Sequence, residues 1–223
     1  MEAELARIDL PAVRTPGGQE WTGDPARVQV MYELTPATIC TYVGQTRIMG
    51  EALERGMHAF VMEDDLCFCS DFWTRWNRIE AFLNEHEWDI FWFGGTFHCN
   101  PPVWHKDDLG KDAQLTDTPR IVRTFGIWST YAYLVNRESI SKVLFHLDRI
   151  LDQSPGVDTS MIELQPDWQT FCFVPGCVKQ RDDWSDITHS VSKFSGFERL
   201  GGYWWQNYAE DFDFDSFDWA EAR

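Results

Sequence analysis

Short apolar runs separated by amphipathic stretches organise most of the chain. The runs lie in VQVMYEL at 28–34, AFVM at 59–62, EWDIFWFGG at 87–95, YAYLV at 131–135 and TFCFV at 170–174. Each is short, rich in aromatic or β-branched residues and bounded by polar or glycine-containing sequence, which is typical of a buried strand.

The stretches between these runs carry helical patterns. In TPATICTYVGQTRIMGEALERG, Thr35 is expected to cap a helix that ends before Gly56. The stretch DFWTRWNRIEAFLNEH, preceded by Ser70 and Asp71 as candidate caps, predicts a second helix, and Asn136 is expected to cap a third. The apolar stripe expected on the first helix is Ile39, Val43, Ile48 and Leu53, and that on the third is Ile140, Val143, Leu144, Leu147, Ile150 and Leu151.

The remaining segments predict loops. Residues 15–26 are rich in Gly and Pro, residues 96–120 are polar and long enough to form a functional loop or lid, and polar Asp-rich loops are expected after TFCFV. Residues 1–205 are interpreted as one domain. The tail at 206–223 interleaves Asp with Phe and Trp, and it is expected either to be flexible or to dock on its own domain.

Composition narrows the class of protein. The chain of 223 residues is 43% hydrophobic, which favours a packed globular domain, and its formal charge of -17 opposes a broad nucleic-acid surface. The six cysteines lack paired zinc-knuckle spacing and are interpreted as reduced, mostly buried thiols. Neither a secretory signal nor an apolar stretch long enough for a membrane span is found, so we expect a soluble, cytoplasmic protein.

The strongest chemical signal is the triplet Glu63-Asp64-Asp65, which directly follows the apolar run at 59–62. Acid at a strand end lies at the rim of a sheet, where open α/β sheets bind ligands. Three anions this close repel one another, and a hard divalent cation would relieve the cost. The alternative is an acidic turn that merely leads into the next helix.

The ordered set of motifs over residues 39 to 187 resembles glycosyltransferase family 25, the group of lipooligosaccharide and procollagen galactosyltransferases. The matching residues are Cys40, Glu63-Asp64-Asp65, Trp88-Asp89-Ile90 with Gly94, Tyr133-Leu134, Val157-Asp158, Pro175, Gln180 and Ser185-Asp186-Ile187. Where that family has Ser-His, this chain has Gly44-Gln45. The resemblance implies a single GT-A-like, Rossmann-type α/β domain with a mixed central sheet flanked by helices.

The resemblance also implies a metal site and a donor site. Mn²⁺ or Mg²⁺ is expected on Asp65 first and Asp64 second, and a third ligand is expected from Asp186 or His189. For Asp186 the alternative is a turn cap.

Donor contacts are expected from several other residues. Glu63 is a candidate for orienting the ribose or a neighbouring backbone group, and Gln180 is a further donor contact. Arg14 and Arg47 are candidates for pairing with the diphosphate, since a guanidinium suits phosphate oxygens.

The expected reaction is transfer of a hexose from a nucleotide sugar, UDP-linked by resemblance, to a hydroxyl acceptor with inversion. Asp158 is the first candidate for the base and Asp183 the second, with a structural cap as the alternative for either. The acceptor stays open among a glycan, a protein hydroxyl and a modified nucleobase. Rival interpretations are another carboxylate-metal enzyme such as a phosphoesterase, or a non-catalytic binding module, which Gly44-Gln45 favours.

Overall fold

The computed structural model describes residues 2–12, 36–97, 113–128, 130–150, 157–174, 176–180, 183–185, 190–192 and 205–206. Its helices are α1 (Glu2–Arg7), α2 (Pro36–Glu54), α3 (Phe72–Glu85), α4 (Arg137–Ile150) and α5 (Val157–Leu164). Its strands are β1 (Ala59–Met62), β2 (Leu66–Phe68), β3 (Ile90–Trp92), β4 (Thr96–Phe97), β5 (Ala113–Leu115), β6 (Ile121–Thr124), β7 (Ala132–Val135), β8 (Thr170–Phe173), β9 (Val178–Gln180), β10 (Asp183–Ser185), β11 (Ser190–Ser192) and β12 (Trp205–Gln206). None of the helices among these residues has both the length and the apolar character that crossing a bilayer requires.

A mixed sheet of six strands forms the centre, in the order β1-β7-β3-β8-β6-β5. Only β3 and β8 pair in parallel among these neighbours, and the other pairs are antiparallel. Because β7 lies antiparallel between β1 and β3, the strands β1, β3 and β8 all run in one direction. We call the side where these three strands end, at Glu63, Phe93 and Val174, the carboxyl edge, and the opposite side, at His58, Asp89 and Gln169, the amino edge.

Helices cover both faces of this sheet. One core cluster packs α2, α4 and α5 on the sheet through residues such as Met49, Val143 and Met161. The other packs α1, α3, β2 and β9 on the opposite face, with Phe72 and Phe82 of α3 among its members. Strands buried on both faces read as continuous apolar runs, which explains the sequence of β3. The predicted mixed α/β architecture with a helix-flanked mixed sheet is therefore confirmed.

Several predicted elements are confirmed. The helix before the triplet, the helix after it and the helix after Asn136 are α2, α3 and α4, and four of the five predicted strands are β1, β3, β7 and β8. Asn136 does cap α4, since its Oδ1 accepts the N–H of Glu138 at 3.2 Å. On α4, Ile140, Val143 and Leu147 are buried as expected. The strand expected at 28–34 lies outside the described residues.

The stripe predicted on α2 is confirmed only in part: Ile48 packs against the core, but the buried face does not include Leu53. Leu53 is 40% exposed, whereas Gln45 and Met49 are buried. These two residues are four apart and so lie on one face, which is the face that α2 turns to the sheet. The apolar pattern did not predict this face because one of its two buried residues, Gln45, is polar.

The cap predicted for α3 also differs. Asp71 stands at the N-cap position but its side chain makes no capping hydrogen bond. It pairs instead with Arg75, whose Nε donates to both carboxylate oxygens at 2.9 and 3.0 Å. The carboxylate that could cap α3 is instead engaged in an ion pair with a residue four positions further along the helix.

Short strands occupy segments predicted as loops. The strands β4 and β5 lie at either end of the loop expected at 96–120, and β9, β10 and β11 lie in the stretch expected to be polar loops. Outside the main sheet, β2 pairs with β9, β10 with β11, and β4 with β12. Two-stranded ribbons of this length bury little apolar surface, so polar sequence does not exclude them. In the segment predicted as a tail, Gln206 pairs with Thr96, and residues 207–223 lie outside the described residues.

The interpretation of the cysteines is confirmed for the five that are described. All five are free thiols, of which Cys69, Cys172 and Cys177 are buried and Cys40 and Cys67 are partly exposed. The sixth, Cys99, lies outside the described residues.

Candidate active site

The acidic triplet links β1 to β2 at the carboxyl edge. The backbone N–H of Glu63 donates to the carbonyl of Tyr131 at 2.9 Å, which extends the pairing of β1 with β7 by one residue. Leu66, which follows the triplet, is fully buried. Buried strands on both sides therefore fix the three carboxylates at the rim, with Asp64 exposed and Glu63 and Asp65 half-buried.

Gln180 joins the triplet through the pairing of β2 with β9. It lies directly opposite Leu66 in that ribbon, next to Asp65. Its Nε2 donates to Oε2 of Glu63 at 3.2 Å and to Oδ2 of Asp65 at 3.3 Å. The structure thus brings together two parts of the predicted site that are far apart in sequence.

Gln45 is a member of the site that sequence reasoning missed. This residue of α2 is 4% exposed, and its Nε2 approaches Oε1 of Glu63 at 3.5 Å. Its Oε1 accepts the hydroxyl proton of Tyr133 at 2.7 Å, and its Nε2 also faces the carbonyl of Thr130. The available signal in the sequence was Gly44-Gln45, which stands where family 25 has Ser-His. The second position of that pair is polar in both sequences, and here it contacts the triplet.

The electrostatics of the site centre on Glu63. Its pKa is raised from 4.5 to about 8, mainly by burial and in addition by the charges of Asp65, Asp158 and Asp64, while the hydrogen bond from Gln180 lowers it. Crowded carboxylates in a region of low polarity cannot all ionise at little cost. At neutral pH, Glu63 therefore holds a proton in the folded chain.

Asp158 lies in the first turn of α5, and its surroundings are compatible with both predicted roles, a base and a structural cap. Its Oδ1 accepts the N–H of the neighbouring Thr159 at 2.8 Å, which is a structural contact at a helix start. Its charge also acts on Glu63. The side chain is half-buried, so Asp158 is a local helix contact within electrostatic reach of the triplet.

Tyr131 and Gly94 form the closely packed base of the site. A Cβ on Gly94 would lie 2.4 Å from the carbonyl oxygen of Val178 and 2.7 Å from the Tyr131 hydroxyl. That hydroxyl is buried and has no hydrogen-bond partner within the described part of the chain. Burial raises the Tyr131 pKa well above its ordinary value, and the charges of Cys172, Glu63 and Asp65 add to the effect.

Asp89, the acid of the Trp88-Asp89-Ile90 match, lies at the other edge of the sheet. Its Oδ1 accepts the Ser139 hydroxyl, and its Oδ2 accepts the N–H of Gln169 at 2.9 Å. It joins the start of β3 to α4 and to the start of β8. Asp89 is thus a structural residue, remote from the acidic triplet.

The other predicted residues lie on other elements or outside the described residues. Arg47 is exposed on α2, two residues from the buried Gln45 and so on a different face of the helix. Asp183 begins β10, where it pairs with Ser192. Arg14, Asp186 and His189 lie outside the described residues.

The donor chemistry at the triplet suits a hard divalent cation, because carboxylate and amide oxygens are the ligands that Mg²⁺ and Mn²⁺ prefer. Among the described residues, no group of three or more His, Cys, Asp and Glu side chains is arranged to hold a metal. Asp64 and Asp65 are the described candidates for ligands. The charges of Asp65, Asp158 and Asp64 all raise the pKa of Glu63, so negatively charged groups gather at this place.

Comparison with known proteins adds no relative. No protein-family model matches the sequence, and no curated protein matches it either.

Proposed function

We propose that this protein is a metal-dependent glycosyltransferase that moves a hexose from a UDP-linked nucleotide sugar to a hydroxyl acceptor with inversion. One observation carries the proposal: three separate segments of the family 25 resemblance meet in space. The triplet at 63–65, Asp158 and Gln180 come from three different elements, yet Gln180 bonds two of the acids and Asp158 acts on the same carboxyl. A chance likeness of scattered short motifs would not predict that they converge.

The mixed α/β sheet is compatible with the GT-A-like fold that the proposal requires. Its acidic residues follow a buried strand at the carboxyl edge, which is the side where open α/β sheets bind their ligands. Gly94 lets the backbone of β9 approach the end of β3 closely, so Gln180 reaches the triplet.

Asp65 and Asp64 would hold the cation, with Asp186 and His189 as candidates to complete the set. Mn²⁺ or Mg²⁺ supplies charge neutralisation for the departing diphosphate when bound. The chain's own contribution is to orient these ligands. Gln180 donates to Asp65 and Glu63 at once, so it fixes the spacing between their carboxyl groups.

The proton transfer is assigned to Asp158 and not to Glu63. An inverting transfer needs a base that removes the proton of the acceptor hydroxyl as it attacks. Without a bound cation the pKa of Glu63 is about 8, so its carboxyl group is mainly protonated at neutral pH, and its contacts with Gln45 and Gln180 suit a positioning role. Asp158 lies in the first turn of α5, where its charge acts on Glu63, and it remains the first candidate for the base.

Calorimetry with UDP-glucose and UDP-galactose, with and without Mn²⁺, tests the proposal. We expect metal-dependent binding of at least one donor. Asp65→Ala should weaken that binding by at least about 100-fold, since losing even the outer partners of metal ligands costs about 10–100-fold. The control is Glu80→Ala, which removes one negative charge from the exposed surface of α3 and should leave the affinity unchanged.

The outcomes separate the rival functions. Donor binding that is independent of Mn²⁺, or equal in Asp65→Ala and the parent, contradicts the metal site. No metal-dependent binding of any donor points to a non-catalytic binding module. Release of phosphate from phosphoesters without sugar transfer points to a phosphoesterase.

A further inference from the structure

Cys69 and Cys177 face each other at one end of the ribbon formed by β2 and β9. The register pairs Phe68 with Val178, so the next residue of each segment stands directly opposite the other. The backbone confirms this, because the N–H of Cys69 donates to the carbonyl of Cys177 at 2.9 Å. Side chains at directly opposed positions of an antiparallel pair point to the same face.

The two thiols are in contact and both are free. The Cys177 side chain is hydrogen-bonded to that of Cys69. Opposed residues of an antiparallel pair have Cα atoms about 4.5–5.5 Å apart. That spacing falls in the range of about 4.4–6.8 Å that a disulfide spans.

The surroundings of the pair are suited to thiol chemistry. Arg75 carries a positive charge close to both sulfurs, and its Nη1 donates to the carbonyl of Gly176 at 3.1 Å. The Cys69 thiol is hydrogen-bonded to the carboxylate of Asp71. A nearby guanidinium stabilises a thiolate, and a carboxylate accepts the thiol proton.

We propose that Cys69 and Cys177 form a redox pair that a hydroperoxide oxidises to a disulfide. Cys69 reacts first: its sulfur attacks one peroxide oxygen, the O–O bond breaks, and Cys69 becomes a sulfenic acid as water or an alcohol leaves. Cys177 then attacks the sulfur of Cys69. The S–S bond forms, the S–O bond breaks, and the hydroxyl takes the Cys177 proton and leaves as water.

The order of the two steps follows from the environment of each thiol. Cys177 is fully buried, whereas Cys69 is 4% exposed and adjoins the exposed residues Ser70 and Asp71. Burial raises the pKa of Cys177 well above its ordinary value, and the bond with Cys69 adds to this, against the opposing charge of Arg75. A small peroxide therefore meets Cys69 first, and Cys177 resolves the sulfenic acid.

The disulfide would join two segments that are far apart in sequence and pair in the ribbon. It closes a loop of roughly a hundred residues, and long closed loops constrain the unfolded chain most. It would also fix β9 against β2, the pairing that sets Gln180 beside Asp65. The inference does not depend on the proposed function, since it concerns only the thiols.

Peroxide treatment of the full chain, followed by alkylation and peptide mapping without reductant, tests the proposal. We expect one cross-linked product that joins the peptides of Cys69 and Cys177. The melting temperature should rise by about 5–15 °C and return after dithiothreitol. Cys67→Ser is the matched control, because Cys67 lies in β2 two residues before Cys69 and is more exposed, and this variant should keep both effects.

Two further variants separate the steps. Cys177→Ser should accumulate a sulfenic acid on Cys69 that dimedone traps, and Cys69→Ser should form neither product. Mapping of the parent chain decides the matter even if a variant does not fold. The proposal is overturned if both thiols of the folded parent stay open to alkylation after unfolding, or if the melting shift persists in Cys177→Ser.

Discussion

The two edges of the central sheet both carry acidic residues of the family resemblance, but the chain bonds them differently. At the amino edge, the carboxylate of Asp89 accepts a hydroxyl from Ser139 and a backbone N–H from Gln169. At the carboxyl edge, Glu63 and Asp65 share one side-chain amide, that of Gln180, and the charge of Asp65 raises the pKa of Glu63.

This difference separates a structural acid from one suited to a ligand. Asp89 fixes three segments, since its own backbone carbonyl also accepts the N–H of Asn136 at 2.9 Å. A half-buried carboxylate bonded in this way stabilises the fold. The triplet instead brings negatively charged groups together, and the charges of Asp65, Asp158 and Asp64 raise the pKa of Glu63, an arrangement that favours a bound cation.

Asp89→Ala should have the largest effect on stability. It leaves the Ser139 hydroxyl and the Gln169 N–H without their acceptor, and we expect the free energy of unfolding to fall by about 3 kcal/mol. Urea denaturation measures the loss. Asp117→Ala, at an exposed position, serves as the control. The comparison of the two edges fails if Asp89→Ala unfolds like the parent but loses metal-dependent donor binding.

Gly94→Ala should have the next largest effect, because it disturbs the carboxyl edge through packing and not through charge. The added Cβ would lie 2.4 Å from the carbonyl oxygen of Val178, which forces β9 away from the end of β3. We expect a loss of about 2 kcal/mol in the free energy of unfolding, measured in urea.

Gly50→Ala is the matched control for that substitution. Gly50 lies within α2, and a Cβ there meets nothing within 4 Å. Replacing a helical glycine by alanine should raise stability by about 0.5–1 kcal/mol. Equal effects of the two substitutions would show that the close approach at Gly94 is unimportant.

Much of the fold follows from local patterns in the sequence. The strand β1, the helix α3 and the unit of β7 with α4 were predicted because each carries an apolar run or a helical period. The ribbon of β2 and β9 was not predicted. Its pairing joins segments far apart in the chain, and local patterns do not record which strands pair.

The site was predictable only in part for a related reason. The triplet, Asp158 and Gln180 were identified through motifs, whereas Gln45 was missed because a buried amide does not register in an apolar pattern. Asp89 belongs to the same set of motifs, yet its partners fix its structural role. Those partners lie fifty and eighty positions further along the chain.

Of the three substitutions at the sheet edges, Glu63→Gln should have the smallest effect, and it examines the charge of the carboxyl edge directly. The pKa of Glu63 is about 8 in the folded chain against an ordinary value of 4.5, so between these values the folded protein keeps a proton that the unfolded chain releases. Stability contributed by this group is therefore complete below about pH 4.5 and is lost as the pH rises through about 8. Glutamine has no such proton to lose.

We therefore expect Glu63→Gln to exceed the parent in stability by about 1–2 kcal/mol at about pH 8.5 and by much less at about pH 5. Urea denaturation at both pH values measures the difference, and Glu80→Gln on the exposed side of α3 should show no such change with pH. A variant whose advantage is the same at both pH values would mean that Glu63 is ionised throughout. The carboxyl edge would then resemble the amino edge, with its acids stabilised by the chain itself.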